Sequence, residues 1–349
     1  MIESLINFAK KLEKNWSVEG LPEQAMSFLT DFHIADSLID FETNVSHWLS
    51  NEDLPSQLNL YNNFGEPSLT IFNNKKFAID LYFWRKNDTI IHSHGFRGAF
   101  KVLFGQSFHE QFKVQLLNSY ANDIQETKLL SEHIKIMNPG DVNIINPELT
   151  HRVVHIDNPT VTLCIRTVED TVLDQWHHLP TGLSFKKKNL SEKTIKQVLY
   201  FQYLLESNLD IASEFLNKLL GNLETSDKIS LYESLCYSEI GLNEDSFNFI
   251  ENKYKEIFEK EEWFSLYKNY FSGLSSKLQE INADNKEFKL LVHLINCDYE
   301  KEQVREILES VSSENLERLL ASLSRQPGIF TGGHEESQLK KINFYRDLS

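Results

Sequence analysis

Cysteine is scarce in this chain: Cys164, Cys236 and Cys297 are the whole complement in 349 residues. No two form a CxxC pair, and their spacing builds no disulfide framework. That excludes the small stapled secreted scaffolds and points to a reducing, cytoplasmic setting. Long apolar runs are missing too, and no stretch approaches the ~20 residues that cross a bilayer. Met1-Ile2-Glu3-Ser4-Leu5 has no basic segment followed by an apolar core, so no signal peptide is expected. Basic charge is in deficit, with 35 Lys and Arg against 51 Asp and Glu, for a net charge of −16. Such a surface repels phosphate backbones and argues against a nucleic-acid partner, yet leaves room for a small anionic substrate in a locally positive pocket. Core material is not short: hydrophobic residues make up 41% and Phe alone numbers 24.

Texture divides the chain into three regions and a tail. Residues 1–58 carry helical periodicity, as in Leu5, Phe8, Ala9, Leu12 and Trp16, and Pro22 opens a second helix. Residues 59–170 read as short strands separated by Asn, Asp, Gly and Pro: Phe77 to Trp84, Phe100 to Phe104, Phe108 to Leu117, Lys128 to Met137, Val142 to Ile145, Arg152 to Ile156 and Val161 to Thr167. That spacing predicts a β-sandwich or barrel, of which a jelly roll is one form. Residues 171–325 return to helical periodicity. Ser191 caps the first helix, and further helices are expected over 209–221, 225–239, 244–259, 261–281, 285–297, 301–312 and 313–324. Residues 326–349 form a polar tail with Gly332-Gly333 near its start. The fold class expected is α+β: an antiparallel barrel between N-terminal helices and a C-terminal all-α domain.

The most informative segment is Ile91-His92-Ser93-His94-Gly95. Residues i and i+2 of a strand point to one face, so His92 and His94 can aim two imidazoles at one point. Pro139-Gly140-Asp141 and Pro147-Glu148-Leu149-Thr150-His151 follow, with His151 lying 57 residues beyond His94. A third imidazole on a neighbouring strand completes a nitrogen face suited to iron, nickel, copper or zinc, with the remaining coordination positions open.

These motifs resemble the cupin superfamily over about a third of the chain. His92, His94 and Gly105 match its first motif, and Gly140, Pro147 and His151 its second; His155 stands where that motif has Asn. Within cupins the segments around His92, His94 and His151 look most like the cysteine dioxygenase type, in which three His bind ferrous iron without a carboxylate. The usual cupin Glu position falls at Gly98 or Ala99, and neither can ligate. The resemblance implies His92, His94 and His151 as metal ligands, Fe(II) as the metal and O2 as co-substrate. It does not extend to the Ser, His and Tyr that this family carries after the third ligand, since Thr162, Cys164 and Arg166 stand there.

The other candidates each carry two readings. Arg166 either grips a substrate anion or closes a barrel-end salt bridge. Tyr82 and Trp84 line the cavity wall, as packing or as substrate contacts. His155 orients a ligand or serves the core. Cys164 is read as a buried, inert thiol, His109 and His133 as ordinary histidines, Arg97 as a solvated loop residue, and Trp176-His177-His178 as a linker or a lid. The pair His293 and Cys297 and the stripe Trp263, Phe264, Tyr267, Tyr270 and Phe271 read as helix packing. The function expected is a non-haem iron oxygenase for a small thiol-, amino- or carboxylate-bearing substrate. The alternatives are an isomerase or lyase of the same fold, and a ligand-binding cupin whose helices hold a partner. The helical region is open to pocket enlargement, recognition of a carrier or peptide, or homodimer formation.

Overall fold

The computed structural model describes residues 2–33, 37–50, 53–58, 65, 67–84, 89–157, 159–168, 174–187, 191–236, 244–267, 286–296, 301–311 and 316–323. Helices α1 (Ile2–Lys14), α2 (Leu21–Asp31) and α3 (Leu38–Leu49) come first. Eleven strands follow among the described residues: β1 (Ser68–Asn73), β2 (Phe77–Trp84), β3 (Ile91–His92), β4 (Gly98–Phe104), β5 (Ser107–Ala121), β6 (Ile124–Met137), β7 (Val142–Ile145), β8 (Thr150–His155), β9 (Thr160–Thr167), β10 (Gln175–His178) and β11 (Leu183–Lys187). Helices α4 (Glu192–Ser207), α5 (Leu209–Gly221), α6 (Thr225–Cys236), α7 (Glu244–Phe258), α8 (Lys286–Asn296), α9 (Lys301–Val311) and α10 (Leu316–Leu323) complete the described chain.

The strand pairing is that of one long hairpin rolled up. β5 pairs with β6, β4 with β7, β3 with β8 and β2 with β9, all antiparallel. Rolling adds the side pairings β4–β9 and β5–β8. The products are a five-stranded sheet, β1-β2-β9-β4-β7, and a six-stranded sheet, β10-β11-β6-β5-β8-β3, which closes on itself where β3 meets β10. This is an α+β fold on an antiparallel jelly-roll barrel, with helices before and after it.

Alternation along each strand sorts the cores. On the five-stranded sheet, Ile79, Leu81, Ala99, Leu103, Leu163 and Ile165 face α1–α3. The opposite face carries Tyr82, Phe100, Val102 and Cys164, which pack with Met137 and Ile145 between the sheets. On the six-stranded sheet, Phe108, Val154 and Ile156 pack outward on α8–α10, while Ile124, Leu183 and Phe185 pack on α4–α7. Ser107, His109, His151 and His155 occupy the alternate positions, on the face turned to the other sheet. Lys101 ties β4 to α2: its buried ammonium donates to the carbonyls of Leu29 at 2.6 Å and Phe32 at 2.7 Å, satisfying acceptors that the helix end leaves free.

The sheet runs beyond residue 170. β10 pairs with β3 and β11 with β6, so Trp176, His177 and His178 belong to the barrel and not to a linker. β1 and the ends of β5 and β6 also exceed the apolar runs that suggested strands. Helix α4 begins where expected, the Ser191 hydroxyl accepting from the Thr194 amide at 3.1 Å. Most of the helix expected over 261–281, the residues Tyr270, Phe271 and Cys297, and the tail 326–349 lie outside the described residues. Trp263 and Tyr267 are buried against α4–α7.

Candidate metal centre

Two strands and the segment that follows one of them deliver the three histidines. His92 sits in β3, flanked by His151 of β8 on one side and His177 of β10 on the other. β3 stops at His92, but pairing with β10 continues one residue further: the Ser93 amide donates to the Trp176 carbonyl at 2.9 Å, and the Trp176 amide donates to the Ser93 hydroxyl at 3.1 Å. Ser93 is thereby held outward and His94 returns to the face of His92. The pleat read from the sequence thus outlasts the strand itself.

One nitrogen from each of His92, His94 and His151 lies within 4.8 Å of the others, and all three residues are buried. His94 Nε2 and His151 Nε2 stand 2.8 Å apart. The ring centroids are 4.7 Å apart for His92–His94 and His92–His151 and 4.8 Å for His94–His151. An ion bound at ~2.1 Å by two imidazoles at right angles sets their nitrogens ~3 Å apart, the spacing of the His94–His151 pair, and three imidazole nitrogens are a donor type suited to a divalent transition metal. Among the described residues no other group of three or more His, Cys, Asp or Glu side chains converges in this way.

Each imidazole is held neutral. Burial lowers the His94 and His151 pKa values well below the ordinary range, and the neighbouring histidines lower them further; Arg166 adds to this at His94. Burial also lowers His92, opposed by the hydrogen bond between its Nδ1 and the Ile90 carbonyl at 2.8 Å. That bond leaves Nε2 of His92 for the shared point. Neutral imidazole is the ligating form, so protons compete weakly for the site near neutrality.

Neither Gly98 nor Ala99 of β4 can supply a fourth protein ligand. A Cβ on Gly98 would stand 2.0 Å from the Ile165 carbonyl oxygen of β9, and Ala99 faces the N-terminal helices. Gly98 thus has no room for a ligating side chain, and Ala99 points away from the centre.

Arg166 enters the space between the sheets already partnered. Its Nε donates to Asp80 Oδ2 at 2.9 Å, and its guanidinium lies over the Phe96 ring, 5.2 Å from the centroid. Asp80 also accepts from the Thr70 hydroxyl at 2.8 Å and the Tyr82 hydroxyl at 3.2 Å. The salt-bridge reading of Arg166 therefore describes its Nε edge, with a partner 86 residues away. Tyr82 keeps its proton: burial, then the Asp80 charge, pushes its pKa well above the ordinary value. Trp84 lies beside Tyr82, its centroid 5.8 Å away, and its indole N–H donates to the Thr162 hydroxyl at 2.9 Å. Burial pushes the Cys164 thiol up to about 12, which keeps it protonated.

His155 faces the same interior but bonds elsewhere. Its Nδ1 is 3.0 Å from the Ser107 hydroxyl, and its ring stacks on Trp84. His109, read as ordinary from the sequence, is 2% exposed, and its Nε2 hydrogen-bonds Nδ1 of His151. The signal was present in β5, where Ser107 and His109 alternate with the outward Phe108. His133 is exposed on β6, and His178 turns away from the centre to bond the Ser184 hydroxyl at 2.7 Å. The Arg97 amide donates to the Thr167 hydroxyl at 3.1 Å, and the His293 ring lies 6.0 Å from that of Phe108 outside the barrel.

No family model matches the chain, and no curated protein matches it. Among solved structures, the chain is similar to hydroquinone 1,2-dioxygenase from Sphingomonas sp. TTNP3 at 12% identity and a TM-score of 0.22, over 28% of this chain and 63% of that one. It is similar to an RmlC-like cupin from Shewanella frigidimarina at 15% identity and a TM-score of 0.21, over 30% of this chain and 78% of that one. A cupin superfamily protein from Desulfitobacterium hafniense gives 11% identity and a TM-score of 0.19, over 29% of this chain and 73% of that one. The match thus spans less than two thirds of the hydroquinone dioxygenase's own length.

Proposed function

We propose that this chain is a non-haem iron(II)-dependent oxygenase acting on a small anionic substrate bound beside His92, His94 and His151. The observation that carries this reading is the convergence of three buried, neutral imidazoles with no carboxylate among them. His92, His94 and His151 would hold ferrous iron, which would supply a redox-active centre for an anionic substrate and dioxygen. Neutral ligands leave the ion its full +2 charge, which favours a thiolate, carboxylate or enolate as the incoming ligand.

The chain's own residues give that substrate its surroundings. Phe100, Val102, Met137 and Ile145 form a dry wall between the sheets and exclude bulk water. Arg166 offers a cation close to His94, already oriented by Asp80 and Phe96. Because Asp80 offsets much of that charge, Arg166 directs a substrate anion by hydrogen bonding more than by net attraction. Tyr82 keeps its proton and steadies Asp80.

The test is anaerobic loading with ferrous iron, followed by an oxygen-electrode screen of thiols, amino acids and keto acids. About one equivalent of bound iron and substrate-dependent oxygen uptake are expected, both lost in His94→Ala. Turnover indifferent to oxygen would replace this reading with the isomerase or lyase alternative.

A further inference from the structure

The contact between His109 and His151 assigns a role to a residue outside the ligand set. We propose that His109 is a positioning residue, which holds His151 in the tautomer and orientation that aim its Nε2 at the metal. This rests on the three-histidine reading and deepens it.

The geometry is specific. His109 faces Val153 across the β5–β8 ladder, one diagonal step from His151. The two rings stand nearly perpendicular, with centroids 4.8 Å apart and planes at 82°, and His109 Nε2 meets His151 Nδ1. The Phe100 ring stands edge-on to His109 with centroids 6.1 Å apart, limiting its tilt. The side-chain amide of Asn143 lies 3.4 Å from the remaining nitrogen, His109 Nδ1. Both histidines are at least 96% buried, so water does not substitute for these partners.

Metal ligation fixes the direction of the chain. A neutral His151 that ligates through Nε2 must carry its proton on Nδ1. His109 must then accept at Nε2 and carry its own proton on Nδ1. Asn143 completes the series by presenting its carbonyl oxygen, since the two ends of an amide side chain are interchangeable by rotation. Ligating histidines usually donate to a carboxylate or a backbone carbonyl, as the His92 ring does at Ile90. At His151 the acceptor is a neutral imidazole, which is removable by substitution whereas a backbone carbonyl is not. Without it, the Nδ1–H of His151 would be left as a buried donor lacking an acceptor, and the opposite tautomer, useless to the metal, would compete.

The experiment measures cobalt(II) binding by chelator competition, together with the visible absorption of the bound ion. It compares the full-length wild type with His109→Ala, His109→Met and His109→Gln. Gln returns an acceptor oxygen, and Met fills the space without one as strong. Ala and Met are expected to weaken cobalt binding about 10–100-fold and to shift the absorption bands, and Gln to recover most of both. Wild-type affinity and spectrum in His109→Ala overturn the proposal. Should His109→Ala fail to fold by circular dichroism, equal binding by the Gln and Met variants overturns it instead. A wild type that binds no cobalt and no ferrous iron overturns the three-histidine reading itself, which is a distinguishable result.

Discussion

The imidazole of His155 lies flat against the indole of Trp84, with ring centroids 4.1 Å apart and planes at 22°. Its Nδ1 meets Ser107, while Nε2 is buried with no hydrogen-bond partner among the described residues. A proton on that ring would place an uncompensated charge between the sheets. Burial accordingly lowers the His155 pKa to about 3, and lowers those of His109 and His178 to about 4 each.

These depressed values set a direction for the metal-free protein. The unfolded chain takes up protons near pH ~6.5, while the folded chain resists until pH 3 to 4. Stability is therefore full above pH ~6.5 and is lost as pH falls towards the folded values, by roughly 1.4 kcal/mol per pH unit for each such group. Urea unfolding at several pH values between 7 and 5 checks this. Replacing His155 with Phe is expected to remove about one group's share of the slope.

Removing one metal ligand separates binding from folding. His94→Ala and His151→Ala are each expected to lower metal affinity by more than ~100-fold, beyond the usual effect of changing a residue behind a ligand. Metal analysis after gel filtration reads this directly. A variant retaining one equivalent would remove that histidine from the ligand set.

The Arg166–Asp80 pair predicts a sign as well as a size. Arg166→Met leaves the Asp80 carboxyl 1% exposed, with the Thr70 and Tyr82 hydroxyls as its remaining side-chain partners among the described residues. That is expected to cost about 3–5 kcal/mol, whereas adding Asp80→Leu to it recovers a large part. A double-mutant cycle by chemical denaturation measures the coupling.

Cys164 is expected to resist alkylation. With its pKa at about 12, almost none of it is thiolate at pH 8, and the side chain is 3% exposed. Iodoacetamide labelling read by peptide mass spectrometry should mark Cys164 only after denaturant is added. Rapid labelling of the native protein would show that the sheets open.

Gly98→Ala tests why the centre has three histidines and no carboxylate. Its new methyl group would stand 2.0 Å from the Ile165 carbonyl, so β4 and β9 must separate. A loss of about 1–3 kcal/mol is expected, with weaker metal binding as His94 shifts on the adjoining turn.

Much of the centre was legible in the residues themselves. Period-two alternation placed His92 and His94 on one face, and Gly140, Pro147 and His151 announced the returning strand. What eluded the sequence was pairing over long separations. Asp80 as the partner of Arg166 depends on the β2–β9 register, which aligns Asp80 with Cys164 and Ala78 with Arg166. His109 acquires meaning only once β5 lies beside β8. The segment Gln175–His178 is short, and its polar residues resemble those of a loop, so its place between β3 and β11 rests on tertiary hydrogen bonds rather than on local pattern. The jelly-roll class was readable because each Pro, Gly or Asn cluster marks one end of a strand.

Strand β8 is a party wall. His151 looks inward from it to the centre, while Val154 looks outward into an apolar cluster with Leu290, Leu294 and Leu308 of the C-terminal helices. Excising the barrel at residue 187 would strip that outer covering from Phe108, Val154 and Ile156 and leave the strand bearing the third ligand with one face wet. The helices, though remote from the three histidines, thus belong to the housing of the candidate metal centre, and a truncated barrel would be a poor surrogate for the whole chain.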